Sequence, residues 1–188
     1  MRQKKDKTRR DYEAAISAQY ALTTQWTVIE DMHRNLLEPR RNLQDRQFKL
    51  PNYLPVGGVI PLPMDSLTFI LATDNPDFLQ EIHIAEKHYL RCAELLEELN
   101  KFRLDMQDKY QPKTFNPDTG IGFLEVPLHR QYILKDLTNR LYVSVDKARV
   151  ELNRVIDKMN DFIKSNFKGR RSLKIIPVHE EIGKSPPA

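Results

Sequence analysis

"LKDLTNRLYVSVDKARVELNRVIDKMNDFI", Leu134 to Ile163, decides the fold of this 188-residue chain. Within it, a seam of mostly apolar residues recurs at alternating steps of three and four: Leu134, Thr138, Leu141, Val145, Ala148, Leu152, Val155, Met159 and Phe162. A mean step of 3.5 places them along one face of a helix, whereas a strand would alternate at every second residue. Ile133, Leu137, Ile156 and Ile163 widen that face, which suits a helix with more than one neighbour.

Two upstream segments carry the same signature. One runs Tyr12, Ala15, Gln19, Leu22, Trp26, Ile29, His33, Leu36; the other runs Phe78, Ile82, Ala85, Tyr89, Cys92, Leu96, Leu99, Arg103, Met106, Tyr110. The expected fold is therefore all-α, a bundle of three long helices with coiled-coil-like seams. Each helix should run roughly 30–40 residues, about 45–60 Å at 1.5 Å per residue. Polar members of a seam (Gln19, Arg103, Thr138) set register more often than they bind ligands. Arg103 is expected to reach the bundle edge or to pair with a carboxylate. His33 is expected to be a hydrogen-bonded, buried imidazole.

Local signals mark the boundaries. Pro39 should stop the first helix. In "TDNPDF" either Asp74 or Asn75 should cap the second, with Pro76 in its first position. That helix should end near Gln111, and Gly169 should close the third. The connection over residues 39–73 holds five prolines yet is apolar, so it should lie extended along the bundle with Leu67, Phe69 and Leu71 docked. Its length allows the first two helices to be parallel or antiparallel. "LKIIPV" near the end has the content of a short extended segment and should pair with "GFLEV" or with another chain.

Charge is segregated. Residues 2–10 carry +5, residues 11–163 carry −5, residues 164–174 carry +5 and the remainder carries −1. The expected organisation is a basic juxtamembrane-like segment (1–10), a helical bundle (11–174) and a tail (175–188). The basic runs nominate Arg2, Lys4, Lys5, Lys7, Arg9, Arg10, Lys168, Arg170 and Arg171 as contacts for an anionic surface. The first run has the wrong sign for a free helix start, where the partial positive charge of the helix favours Asp and Glu.

Evidence for chemistry is sparse. In "HIAEKH", His83 and Glu86 share a helix face, but His88 lies about 140° from His83, a poor arrangement for a shared metal. Cys92 falls on an apolar seam and reads as a small core residue. "GKS" at 183–185 lacks the glycine and the following helix of a phosphate loop. No catalytic, cofactor or metal residue is assigned, and the chain is not expected to be an enzyme. A single cysteine fits a reducing compartment. No stretch approaches the roughly 18 apolar residues of a membrane span.

"YALTTQWTVIEDMHRNLLEPRRN" followed by "PLPMDSLTFILATDNPDFLQEIHIAEKHY" resembles the soluble region of small bacterial membrane-anchored proteins of unknown function. The similarity covers roughly residues 10–110 and rests on Gln-Trp, Leu-x-Pro, Ser-Leu-x-Phe and a later Tyr. In that group one membrane helix precedes a helical cytoplasmic region. The resemblance implies a membrane helix ahead of the basic run, so that Arg2 would lie mid-helix and the dipole conflict would vanish. It supplies no activity. The expected role is a self-associating, non-catalytic interaction or scaffold domain, cytoplasmic and held at the inner membrane face. The alternative is nucleic-acid binding through the same basic ends.

Overall fold

The computed structural model describes residues 2–54, 58–110, 114–116, 121–123 and 125–168. Three long helices dominate: α1 (Arg2–Asp31), α3 (Asp77–Lys109) and α4 (Leu128–Asn166). A short helix α2 (Arg46–Lys49) and a 3₁₀ helix (Met64–Ala72) lie in the connection, and β1 (Thr114–Asn116) pairs with β2 (Ile121–Phe123) in an antiparallel hairpin.

The end of the first helix differs from expectation. Instead of stopping at Pro39, α1 widens into a π-helix over Met32–Leu37 and then tightens into a 3₁₀ turn, Glu38–Arg40, that contains Pro39. Proline has no N–H, and its ring clashes with the carbonyl four residues back, here Asn35. The carbonyls left over are taken by a side chain: Arg40 Nη1 donates to Asn35 O at 3.1 Å and to Leu36 O at 2.9 Å. The wider turn carries both Leu36 and Leu37 into the core.

Other boundaries move slightly. Neither Asp74 nor Asn75 caps α3 with its side chain; Pro76 immediately precedes it, and Asn75 O and Pro76 O accept from Phe78 N and Leu79 N. That helix ends at Lys109 rather than Gln111, and α4 ends at Asn166. Gly169, "LKIIPV" and the tail lie outside the described residues. Ile121–Phe123, which includes the first two residues of "GFLEV", pairs antiparallel with Thr114–Asn116.

The helices pack with α4 antiparallel to both others. Gln19 donates to Asn160, and Tyr142 Oη donates to Leu37 O at 2.8 Å, so α1 runs up as α4 runs down. Phe78 meets Phe162 with ring centroids 5.6 Å apart, while Arg130 reaches Asp105 at 3.3 Å near the other end. Both pairings make α1 and α3 parallel, which requires the connection to travel back the length of the bundle. The core lies along the shared axis, with Leu22, Ile29, Ile82, Cys92, Leu141, Val145, Leu152 and Val155 all fully buried.

The returning chain is held by polar side chains from two helices. Gln25 Nε2 of α1 donates to Ile60 O at 2.7 Å, and Ile60 N donates to Tyr89 Oη of α3 at 3.3 Å. Glu86 accepts from Leu62 N at 2.6 Å, and Asn100 Nδ2 donates to Tyr53 O at 2.8 Å. An extended segment with few neighbours of its own kind thus finds partners for its backbone groups, as burial demands. Leu67 and Ile70 dock fully and Phe69 partly. Leu71 does not: it is 58% exposed, because a 3₁₀ helix turns every third residue and points it away.

Candidate functional site

Among the described residues, Lys7, Arg9 and Arg10 near the start of α1 and Lys168 after α4 lie at one end of the molecule. Tyr12 meets Phe167 edge to face, with centroids 5.5 Å apart. Phe167 in turn touches Phe69 and Phe162, both at 6.3 Å, and Phe162 touches Phe78. This aromatic cluster closes one pole of the bundle and places the end of the first basic run beside the start of the second. Such ring pairs add to burial through edge-to-face contact.

Beyond Tyr12, α1 overhangs the pole. It is unbroken from Arg2 through residue 10 into the bundle, and residues 6–10 are exposed. Ten residues of helix correspond to about 15 Å of projection. The first turn carries no acidic residue. Arg9 pairs with Glu13 at 2.7 Å, one turn along the same helix. Lys7 and Arg10 stand exposed on the overhang, and Lys168 lies exposed across the pole. Arg2, Lys4 and Lys5 lie on the first turns of the same helix; Arg170 and Arg171 fall outside the described residues.

A second polar cluster, at the far end of α1, was not read from the sequence. Glu30 is only 3% exposed and receives Arg149 Nε at 2.7 Å and Arg34 Nε at 2.5 Å. Burial raises its carboxyl, but the two guanidinium partners outweigh that and hold it below the usual range. Arg149 Nη1 also lies 3.1 Å from His33 Nε2. Arg41 grips Asp146 with two hydrogen bonds, 2.9 and 3.1 Å, and reaches Glu38 at 2.8 Å. Arg46 and Arg41 lie 4.3 and 5.3 Å from the centre of the Tyr142 ring, on either reach of the turn. The sequence signal is the run Glu38–Pro39–Arg40–Arg41, two arginines directly after a helix-breaking proline.

The remaining candidates separate. His83 is exposed, while Glu86 is buried and committed to Leu62 N; among the described residues no group of His, Cys, Asp and Glu is placed to hold a metal ion. Cys92 is fully buried, and burial pushes its thiol up to about 12. His33 is largely buried with its hydrogen bond from Arg149. Among the described residues Arg103 reaches no carboxylate, its Nη1 is buried without a partner, and burial lowers its pKa. Thr138 Oγ1 is likewise buried and unpartnered, while Gln19 is buried against Asn160. Among the described residues, no helix is long and apolar enough to cross a membrane. No protein-family model, curated protein or solved structure matches the chain.

Proposed function

We propose that the chain is a non-catalytic helical interaction domain that holds an anionic surface, the inner face of a bacterial membrane, with its basic pole. The observation that carries this is the overhang of α1. Residues 6–10 of that overhang are exposed, and Lys7, Arg9 and Arg10 make it cationic. A sheet of negative charge against the pole would attract it. Each basic residue near such a surface contributes about 1 kcal/mol. Residues 2–11 contain no apolar side chain, so attachment is electrostatic rather than insertive. A membrane helix preceding Arg2, as the resemblance implies, would place the same residues at the same interface. The same charges suit nucleic acid, but the overhang offers no aromatic ring for base stacking before Tyr12, and Tyr12 is engaged with Phe167.

Self-association belongs to the same proposal. Tyr132, Val143 and Val150 are 69%, 55% and 66% exposed on α4 and lie on one stripe, at separations near whole numbers of turns. A second copy covering that stripe would bury it.

Two measurements test the proposal. Vesicles of phosphatidylglycerol and phosphatidylcholine should sediment the protein at low salt, and vesicles of phosphatidylcholine alone should not. Replacing Lys4, Lys5, Lys7 and Arg10 with Gln should weaken binding on the order of a hundredfold or more, from about 1 kcal/mol per charge. Binding to duplex DNA with none to the anionic vesicles would favour the nucleic-acid alternative. Sedimentation velocity should show a dimer or larger species that Val143→Asp with Val150→Asp returns to monomer; a strict monomer at high concentration removes self-association.

A further inference from the structure

The cluster at the end of α1 holds its histidine in an unusual setting. His33 Nε2 faces the Arg149 guanidinium at 3.1 Å, and a guanidinium can only donate. Nε2 therefore accepts, and the proton of the neutral ring sits on Nδ1, which is buried without a partner. The other charges facing the ring are Glu30 and Glu38 from its own stretch of chain and Asp146 from α4. Glu38 lies 3.5 Å and Asp146 3.9 Å from Nε2, where they cannot bond the bare nitrogen of the neutral ring but are within reach of an imidazolium N–H. Both carboxylates are already bound by Arg41. Glu30 is shared between Arg34 and Arg149 and has least freedom to move, being only 3% exposed.

We propose that His33 is a proton-operated latch on the junction between α1 and α4. When the ring takes up a proton, Arg149 loses its acceptor and meets a second cation. Nε2–H then turns to Glu38 and Asp146, which are drawn away from Arg41. Arg41 is one of the side chains that tie the turn after the π-helix to α4, beside Arg46 on Asn139 and Tyr142 on Leu37 O, so the turn from His33 to Arg46 loosens without detaching while α3 and the opposite pole keep their packing. This latch goes beyond the anionic-surface proposal and does not depend on it; the two sites lie at opposite ends of α1.

The test is amide hydrogen exchange of the full chain between pH 8 and pH 5, expressed as protection factors. In the wild type, protection over residues 33–46 should fall on acidification on the order of tenfold, the equivalent of one charge-assisted hydrogen bond; α3 should hold steady. His33→Gln keeps an acceptor for Arg149 but cannot take a proton, and its profile should be flat. A flat wild-type profile, or the same fall in His33→Gln, overturns the latch. Nitrogen NMR of the wild-type ring gives a check that needs no variant: at pH 7.5 Nε2 should be the bare nitrogen and Nδ1 the protonated one. The opposite tautomer, or an imidazolium at that pH, also overturns it.

Discussion

Arg149 does two jobs at once, and its loss should be costly. It neutralises buried Glu30 through Nε and Nη2, and its Nη1 occupies His33. Arg149→Met keeps much of the stem but leaves Glu30 with Arg34 alone, and Arg34 is half exposed. Breaking one side of a buried pair costs about 3–5 kcal/mol; the remaining partner reduces this, so about 2–3 kcal/mol is expected in urea denaturation at pH 7. The same residues set the pH dependence. His33 is held below its ordinary value of 6.5, first by burial and then by Arg149. Its neutral form thus favours the folded state, giving stability that is whole above pH 6.5 and is lost as pH falls through the lowered value. Glu30 is held below 4.5, so its contribution is whole above that pH and is lost in more acid solution. Stability of the wild type should decline in two stages on acidification, and His33→Gln should abolish the first stage only. Neither residue announces this in the sequence. His33 sits at a seam position, which explains its burial, but its partner is 116 residues away and no local pattern links them.

At the scale of elements, the returning segment behaves as a strap clamped between α1 and α3. Its anchors are apolar (Leu50, Leu62, Leu67, Ile70) and its backbone is served by Gln25, Glu86, Tyr89 and Asn100. Glu86→Ala leaves the Leu62 N–H buried without an acceptor and should cost about 1–3 kcal/mol in equilibrium unfolding. Glu86→Gln keeps an acceptor and should cost far less, which separates loss of the hydrogen bond from loss of charge. The three helices were legible because each seam repeats over many turns, and a long periodic run outweighs local noise. That the connection lies along the bundle was also legible, since its five prolines and apolar content suit neither a helix nor a free linker. The polar clamp was not, because Gln25 and Glu86 look like exposed-face residues until the strap covers them. The π-helix was hidden for a different reason: Pro39 reports that regular hydrogen bonding must fail, but not how the chain absorbs the failure.

For the whole molecule, two poles of different character follow from one topology. An aromatic cluster, the first basic run and Lys168 sit at one end, and a guanidinium–carboxylate cluster with a histidine sits along the other part of α1. The meeting of the start of α1 with the end of α4 depended on the two being antiparallel, a relation that no single segment encodes. The antiparallel pairing also governs when each helix finds shelter. α3 and α4 are neighbours in sequence and can associate as soon as both exist. α1 is made before both, and although the strap reaches it earlier, at Ile60, its partners on α4 lie 119 to 141 residues downstream, at Arg149 and Asn160. At about 5–20 residues per second, on the order of ten seconds pass between synthesis of α1 and arrival of its partner. During that interval Leu22, Ile29 and Leu36 have no core to enter. Of the three long helices α1 therefore waits longest for its core, and its exposed apolar face is the point at which a nascent chain of this kind is open to chaperones or to early aggregation.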